Sequence, residues 1–269
     1  MKGKIALCQM ISRPSVEDNY SVARDLLAEA GRQGADIAVL PEIWTTRYSP
    51  KNCLENAEEP GGRAYTLMQA VAREHQMYVF GGSVPIRHAE KVDNTCFVFD
   101  PHGAEIGKYD KCHLFDIEVD GVVSAQESAH TVPGDHPLVV DTAFGKIGVL
   151  ICYDLRFPQM FFKLADMGAE MIILPAAFHI DTGKAHWDIL TRARAVDTQV
   201  YMAAVGCATD RDASFVTYGH SRLVDPWGTV VGEMGEEEGV LVLDFDTEQV
   251  SRIRKQLQAL RHRRPELYK

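Results

Sequence analysis

Short apolar runs alternate with amphipathic stretches along the chain, and one arrangement of them occurs twice. The segment GKIALCQM is followed by a helical pattern and then by GADIAVLPE. In the second half, GKIGVLICYD is followed by a shorter helical pattern and then by GAEMIILPAA. Short apolar runs bounded by turn residues predict buried strands. Each set therefore predicts a strand–helix–strand unit, either as an internal repeat of βαβ halves or as a chance likeness of short apolar strands.

Both predicted helices carry residues that typically mark helix ends. Ser15 is placed to cap the first helix, Asp18 stands at the capping-box position, and Gly31 follows the last apolar position. The second helix is predicted over residues 158–167, and Gly168 ends it. Helices in these positions would connect the two strands of each unit as parallel neighbours.

The remaining segments complete a mixed α/β pattern without a linker. A helix over residues 64–75 precedes the strand-like MYVFGGSVP and a hairpin with arms NTCFVFD and EIGKYDK. Residues 116–136 are polar and aperiodic, which predicts a long irregular loop. The helix AHWDILTRARAVDTQ, the strand VYMAAVGC, a meander over residues 221–246 and a basic helical tail with an extended end follow. We therefore expect one domain over residues 1–269.

Composition and charge narrow the classes of function. The chain has 269 residues, 46% hydrophobic and 25% charged, as in ordinary soluble proteins, with a formal net charge of -10. A net negative charge argues against nucleic acid or an anionic membrane as the main partner. The N-terminal apolar stretch is too short for a signal peptide, and no run has the length of a membrane span, which predicts a cytoplasmic protein.

The pattern of cysteines and histidines predicts neither disulfides nor a metal site. The six cysteines are scattered without a CxxC pair, so they are expected to be reduced thiols. The ten histidines include no HxxxH or HExxH, and the sequence has no GxxxxGK[ST] or GxGxxG loop. We therefore expect no cofactor.

A thiol, a carboxylate and an ammonium each follow a predicted strand. Cys152 ends the apolar run 147–151, Glu42 follows the strand ADIAVL, and Lys111 follows a hairpin arm with Lys108 nearby. Each has an ordinary interpretation: a buried cysteine usually packs, and single charged residues usually lie on the surface or near a helix end. Functional groups of α/β proteins nevertheless collect just beyond the carboxyl ends of strands.

Taken together, the three motifs resemble the nitrilase superfamily of carbon–nitrogen hydrolases over essentially the whole chain. The resemblance is carried by LPEIW, YDKCHLFD and CYDLRFP in the family's order, and GKAHWDILTRARAVDTQVY and YGHSRLVDPWG strengthen it. It implies a four-layer αββα sandwich, commonly assembled as a homodimer. HLFDIEVDGVVSAQES, PAAFHIDTGKAHW and ASFVTYGHS are most similar to the omega-amidases, which hydrolyse the terminal amide of α-keto acid amides. The ending HRRPELY is somewhat more similar to the amidase of deaminated glutathione.

The resemblance assigns catalytic roles to four residues. Glu42 is expected to be the general base, Lys111 the cationic stabiliser, Cys152 the nucleophile and Glu127 the second glutamate near the site. Lys111 is also expected to favour thiolate over thiol at Cys152. The backbone N–H of Tyr153 would share the developing oxyanion with Lys111.

Substrate recognition is less closely constrained by the family's motifs. Arg156, Tyr48 and Lys184 are candidates for holding a substrate carboxylate. The structural alternative for Arg156 is pairing with Asp154 or another nearby carboxylate. Phe178 is a further pocket candidate. Gln159 replaces a common acid and Lys184 a common proline, which affects the choice of substrate rather than the chemistry. The expected partner is a small-molecule amide.

Two other classes of function compete with the Glu–Lys–Cys hydrolase. A papain-like site would use the imidazole of His113, His179 or His220 as the base, although the local cysteine signature of that family is absent. A non-catalytic binding scaffold would keep the fold without the reaction. Among hydrolases, deaminated glutathione, aliphatic amides and N-carbamoyl compounds are the alternative substrates.

Overall fold

The computed structural model describes residues 1–121 and 123–267. The strands, numbered along the chain, are β1 (Lys2–Gln9), β2 (Ile37–Val39), β3 (Tyr78–Phe80), β4 (Val84–His88), β5 (Lys91–Phe99), β6 (Glu105–Asp110), β7 (Asp116–Val119), β8 (Val123–Gln126), β9 (Thr131–Val132), β10 (Leu138–Thr142), β11 (Gly145–Val149), β12 (Met171–Ala176), β13 (Tyr201–Gly206), β14 (Arg222–Val224), β15 (Val230–Glu233) and β16 (Gly239–Asp246). The helices are α1 (Val16–Arg32), α2 (Pro50–Glu55), α3 (Arg63–His75), α4 (Pro158–Asp166), α5 (Ile180–Thr198) and α6 (Glu248–Gln256), with short 3₁₀ turns at Glu127–Ala129, Cys152–Arg156 and Pro265–Leu267.

The repeated βαβ units lie at the centres of two separate sheets. The first sheet has the order β16–β1–β2–β3–β5–β4, with β6 and β9 also paired to β5, and the second has the order β10–β11–β12–β13–β14–β15. β1 and β2 are parallel with Ile5 opposite Ile37, and β11 and β12 are parallel with Ile147 opposite Met171. Ser15 caps α1 by accepting a hydrogen bond from the amide of Asp18. The predicted parallel pairs and the first helix cap are confirmed.

Alternating side chains of β1 show how the described elements form four layers. Ile5 and Leu7 pack into a core shared with the second sheet, whereas Ala6 and Cys8 pack against α1 and α3. This alternation follows from the two-residue period of a strand. On the far side of the second sheet, α4 and α5 complete the layers. The expected αββα sandwich is confirmed.

Three segments differ from their predicted form. Residues 116–136 are not an irregular loop, because they contain the antiparallel hairpin β7–β8, a 3₁₀ turn and β9. The hairpin is largely exposed, so its sequence lacks the alternation that a buried face imposes. The predicted meander is wrong at its third strand: β14 and β15 pair, but β16 crosses to the first sheet and pairs with β1. α5 begins earlier than predicted, at Ile180, because the ring of His179 caps it.

Within residues 1–121 and 123–267, no helix combines the length and apolar character that crossing a membrane requires. The predicted extended end of the tail includes residues 268 and 269, which lie outside the described part of the chain.

Candidate active site

Glu42 lies in a tight turn directly after β2, between the two sheets. Its neighbour Ile43 has φ of 48°, and the amide of Ile43 donates to the Ser83 hydroxyl over 3.1 Å. The turn needs glycine at position 82, where a Cβ atom would lie 2.0 Å from the Pro41 carbonyl oxygen. The Glu42 side chain is 1% exposed, so the turn holds a carboxylate inside the protein.

Groups from the second sheet fix the orientation of Glu42. The amide of Ala177, just after β12, donates to Glu42 Oε2 over 2.7 Å. The thiol of Cys207, just after β13, lies 3.3 Å from the Glu42 backbone oxygen. The base predicted from the first half of the chain is therefore held by strand ends of the second half.

Lys111 follows β6 and lies between two carboxylates. Its Nζ is 2.9 Å from Glu42 Oε1 and 2.9 Å from Glu127 Oε2. Burial lowers the pKa of this ammonium, but the negative charges of Glu127 and Glu42 outweigh burial and raise the pKa well above its ordinary value. The two ion pairs therefore favour the charged ammonium of Lys111 at the centre of the site.

Glu127 begins the 3₁₀ turn after β8, inside the segment that was predicted to be a loop. Besides Lys111, its Oε2 accepts a hydrogen bond of 2.6 Å from the amide of Phe115. The hairpin β7–β8 brings Phe115 and Glu127 together, since the two residues flank its ends. The structure thus places the second glutamate against Lys111, where the resemblance leads us to expect it.

Asn94, in the middle of β5, was not singled out from the sequence. It is 2% exposed, and its Nδ2 donates to Glu42 Oε1 over 2.9 Å and to Glu127 Oε1 over 3.3 Å. Its backbone oxygen accepts from the amide of Lys111 over 3.0 Å. The only signal in the sequence is a polar amide within an apolar strand. A single side chain therefore bridges both carboxylates.

Cys152 occupies a strained position between β11 and a 3₁₀ turn. Its φ of 45° lies in the left-handed region, which is uncommon for a residue with a Cβ atom. The side chain is 6% exposed and borders the same pocket as Glu42 and Lys111. The sharp turn directs the sulfur out of the sheet and towards the other two groups.

Lys111 favours the thiolate of Cys152, as expected, but burial and Glu42 act against it. Burial and the negative charge of Glu42 raise the pKa of the Cys152 thiol well above its ordinary value, although Lys111 acts to lower it. Burial and Glu42 thus disfavour the free thiolate, and the reaction calls for a base that takes the thiol proton.

Asp154 secures the turn that carries Cys152. It is fully buried, and its Oδ2 accepts from the amide of Ile151 over 2.9 Å and from the Tyr109 hydroxyl over 2.7 Å. Its Oδ1 lies 2.7 Å from His113 Nδ1. The amide of His113 also donates to Oδ1 over 3.0 Å. The carboxylate is thus occupied by groups other than Arg156, and the proposed pairing of Asp154 with Arg156 is wrong.

The pocket beside Cys152 is narrow, with about 10 Å³ open to the centre of a water-sized sphere. It is bordered by the catalytic candidates and by aromatic and small side chains: Glu42, Tyr48, Lys111, Phe115, Cys152, Tyr153, Ala177, Phe178, His179 and Thr182. Of the predicted substrate-binding residues, Tyr48, Tyr153 and Phe178 therefore lie in its wall. Lys184 does not: it is exposed on α5, one turn past the helix start.

Arg156 lies beside this wall. Its guanidinium carbon is 5.2 Å from the ring centroid of Phe178 and 5.7 Å from that of Tyr153. One guanidinium nitrogen lies 3.3 Å from Nδ1 of His186. Among the ion pairs formed between described residues, none includes Arg156. Its charge is thus held at the edge of the pocket by rings rather than by a carboxylate.

Comparison with known proteins identifies the family. The family model described as carbon–nitrogen hydrolase matches residues 4–255. The chain belongs to the carbon–nitrogen hydrolase family. The match covers every strand end described above, so the site lies within the family's own domain.

Relatives of this carbon–nitrogen hydrolase include curated omega-amidases. The chain is 43% identical to omega-amidase NIT2-A of Xenopus laevis over 99% of its own length and 97% of the relative's. It is 41% identical to omega-amidase NIT2 of Homo sapiens over 98% and 96% of the two lengths. The predicted resemblance to the nitrilase superfamily and its omega-amidase branch is confirmed.

Solved structures agree with this assignment. Nit3 of Saccharomyces cerevisiae, a member of branch 10 of the nitrilase superfamily, superposes with a TM-score of 0.87 at 32% identity, covering 95% of this chain and 94% of that one. A mutant amidase from Nesterenkonia sp. AN1, with acrylamide added at its active-site cysteine, superposes with a TM-score of 0.82 at 28% identity, covering 99% and 98%.

Proposed function

We propose that this carbon–nitrogen hydrolase is an omega-amidase: it hydrolyses the terminal amide of a small α-keto acid, such as α-ketoglutaramate, and releases ammonia. The observation that carries the proposal is the buried cluster of Glu42, Lys111 and Cys152 at the base of a narrow pocket. The identity of about 40% to omega-amidases over nearly the whole chain supports the choice of substrate class.

The first half-reaction begins with proton transfer. Because burial and Glu42 disfavour a free thiolate, Glu42 takes the proton from Cys152 as the sulfur attacks the amide carbon. The negative charge that develops on the carbonyl oxygen is stabilised by Lys111 Nζ and by the amide of Tyr153, at the start of the 3₁₀ turn. Glu42 then passes the proton to the nitrogen, the C–N bond breaks, and ammonia leaves a thioester on Cys152.

The second half-reaction uses the same groups. Glu42 accepts a proton from water, the resulting oxygen nucleophile attacks the thioester carbon, and Cys152 leaves with the returning proton. Glu127 keeps Lys111 in place and favours its charged form through both steps, since its Oε2 lies 2.9 Å from Nζ. We assign Glu127 a positioning role for this reason.

Arg156 is our candidate for the group that holds the substrate's carboxylate. A guanidinium can bind a carboxylate through two parallel hydrogen bonds, and this one lies next to Phe178 and Tyr153 in the pocket wall. A four- or five-carbon diacid monoamide has its carboxylate at the end opposite the scissile bond. Arg156 is thus suited to bind the carboxylate of such a substrate, whereas the exposed Lys184 is not.

A substrate panel tests this proposal. Ammonia or amine release would be measured for α-ketoglutaramate, α-ketosuccinamate, deaminated glutathione, simple aliphatic amides, nitriles and N-carbamoyl amino acids. We expect the highest kcat/KM for the two α-keto acid amides. A preference for deaminated glutathione or an uncharged amide would contradict the proposed substrate class. The absence of any turnover would favour a binding scaffold.

We also propose that the protein forms a homodimer through the outer face of α5. Ile189 and Val196 on this helix are 65% and 44% exposed, and the nearby loop residue Trp227 is 63% exposed. Exposed apolar side chains of this size are typical of subunit contacts. Sedimentation of the wild-type protein and an Ile189→Glu variant would test this. The cytoplasmic location stays a prediction from the sequence.

A further inference from the structure

The catalytic pocket adjoins a second, outer groove. Fourteen described residues border this groove: Tyr48, Ser49, Pro50, Leu54, Val123, Ser124, Ala125, Gln126, Glu127, Ala129, His130, His179, Ser214 and Phe215. Tyr48 and His179 border the pocket as well, so they stand between the two spaces. Glu127 connects the groove to the reacting centre, because its Oε2 is 2.9 Å from Lys111 Nζ.

Phe215 completes the partition between the pocket and the groove. Its ring centroid is 4.9 Å from that of Tyr48, 5.1 Å from that of His179 and 6.3 Å from that of Phe115. All three partners belong to the pocket wall. The ring of Phe215 therefore closes the pocket from the groove side.

Backbone hydrogen bonds of the residues that follow Phe215 hold the chain next to the pocket wall. Its neighbour Val216 accepts a hydrogen bond of 2.9 Å from the amide of Ile180, and the amide of Tyr218 donates to Phe178 over 2.8 Å. Phe178 is itself part of the pocket wall. The ring is thus anchored to the wall that it completes, which makes it a fixed steric boundary.

The orientation of the substrate in the pocket indicates what this boundary does, and this step rests on the proposed function. With the carboxylate at Arg156, the acyl chain extends along Tyr153 and Phe178. The amide nitrogen then lies beyond the scissile carbon, towards Tyr48 and the partition. Any substituent on that nitrogen would have to pass into the outer groove, where Phe215 stands.

We propose that Phe215 is a specificity-determining residue that restricts this enzyme to primary amides by blocking the space for a substituted leaving nitrogen. Removal of its ring joins the pocket to the groove. An N-substituted amide would then react by the same steps. The sulfur–carbon bond forms, the C–N bond breaks, and an amine leaves with the proton from Glu42. Deaminated glutathione is such a substrate, since its scissile nitrogen carries a peptide.

The test compares each enzyme on two matched substrates that differ only at the nitrogen. The probes are α-ketoglutaramate and its N-methyl amide, with deaminated glutathione as the larger case, and the acid product is measured. We expect Phe215→Ala to raise the ratio of kcat/KM for the N-substituted to the primary amide by at least tenfold, the range typical of steric discrimination in an apolar pocket. Phe215→Leu, which retains more bulk, should give a smaller increase and serves if the alanine variant does not fold.

Phe157→Leu is the matched control. Its ring lies 5.5 Å from Tyr153 and stacks on His113, away from the groove, so the ratio should stay at the wild-type value. An unchanged ratio in folded Phe215 variants would overturn the proposal, and so would a wild-type enzyme that cleaves N-substituted amides as well as primary ones. A wild-type preference for a different primary amide would contradict the proposed function but not the role of Phe215. In that case the ratio of kcat/KM is measured on that amide and its N-methyl derivative.

Discussion

Replacement of Asn94 by aspartate places a third acid between the two glutamates with almost no change in shape. The Nδ2 group that donates to Glu42 over 2.9 Å and to Glu127 over 3.3 Å becomes an acceptor. A hydrogen bond to a charged group contributes about 1.5–3 kcal/mol. If this contribution is lost from the transition state through misplacement of Glu42, kcat/KM falls by about 10- to 150-fold at neutral pH.

The pH dependence separates this effect from simple loss of packing. Repulsion from Glu42 and Glu127 raises the pKa of the introduced carboxyl above its ordinary value, since like charges about 4 Å apart repel by about 4 kcal/mol at an effective dielectric of about 20. At low pH the protonated acid can again donate one hydrogen bond. We expect the activity of Asn94→Asp relative to wild type to rise as the pH falls, whereas Asn94→Ala shows no such recovery.

The free energy of unfolding should follow the same titration. Because the introduced carboxyl has a higher pKa in the folded than in the unfolded state, folding is favoured below the unfolded value and the variant loses stability as the pH rises towards the folded value. Asn19→Asp is the control for kcat/KM. The Asn19 amide is also buried, but it donates to the backbone oxygens of Arg13 and Thr45 rather than to the catalytic carboxylates. Wild-type kcat/KM in Asn94→Asp, or a loss that is the same at every pH, would refute the bridging role.

Three further predictions follow from the surroundings of the site. Asp154→Asn should lower the free energy of unfolding by about 1.5–3 kcal/mol, measured by urea denaturation, because its charged oxygens accept several buried hydrogen bonds; an unchanged midpoint would contradict this. Arg156→Gln should raise KM for α-ketoglutaramate at least tenfold but hardly change kinetics with an uncharged amide of similar length; equal losses would make Arg156 structural. Burial lowers the pKa of His130 and His179 in the folded state, so stability should decrease as the pH falls below their ordinary value of about 6.5; His130→Gln should flatten that decrease.

The catalytic candidates were accessible from sequence because each interrupts a strong local pattern. Glu42 and Cys152 follow strands with buried ends, and Lys111 follows the partly buried β6, so a charged or reactive group is conspicuous at each place. The parallel pairing of the central strands then brings such ends to one edge of each sheet. Spacing and motif together therefore predicted the site's members, although their roles stay predictions until they are tested.

The supporting residues could not be found in this way, because their roles depend on tertiary contacts. Asn94 lies in mid-strand, and nothing local shows that its amide faces two glutamates rather than a backbone group. The charge on Lys111 was expected to act on Cys152, but Glu127 also pairs with it, and that pairing arises only when the β7–β8 hairpin folds back. The path of β16 to the first sheet was likewise hidden, since alternation identifies a strand but not its neighbour.

A covalent intermediate on Cys152 tests the central claim most directly. Wild-type protein would be mixed with α-ketoglutaramate, quenched in acid within the first turnovers, digested and analysed by mass spectrometry. The account predicts a mass gain equal to the substrate minus ammonia on the peptide that contains Cys152, and none in Cys152→Ala. An acyl group on Cys112 or Cys207, or steady turnover by the Cys152→Ala variant, would contradict it.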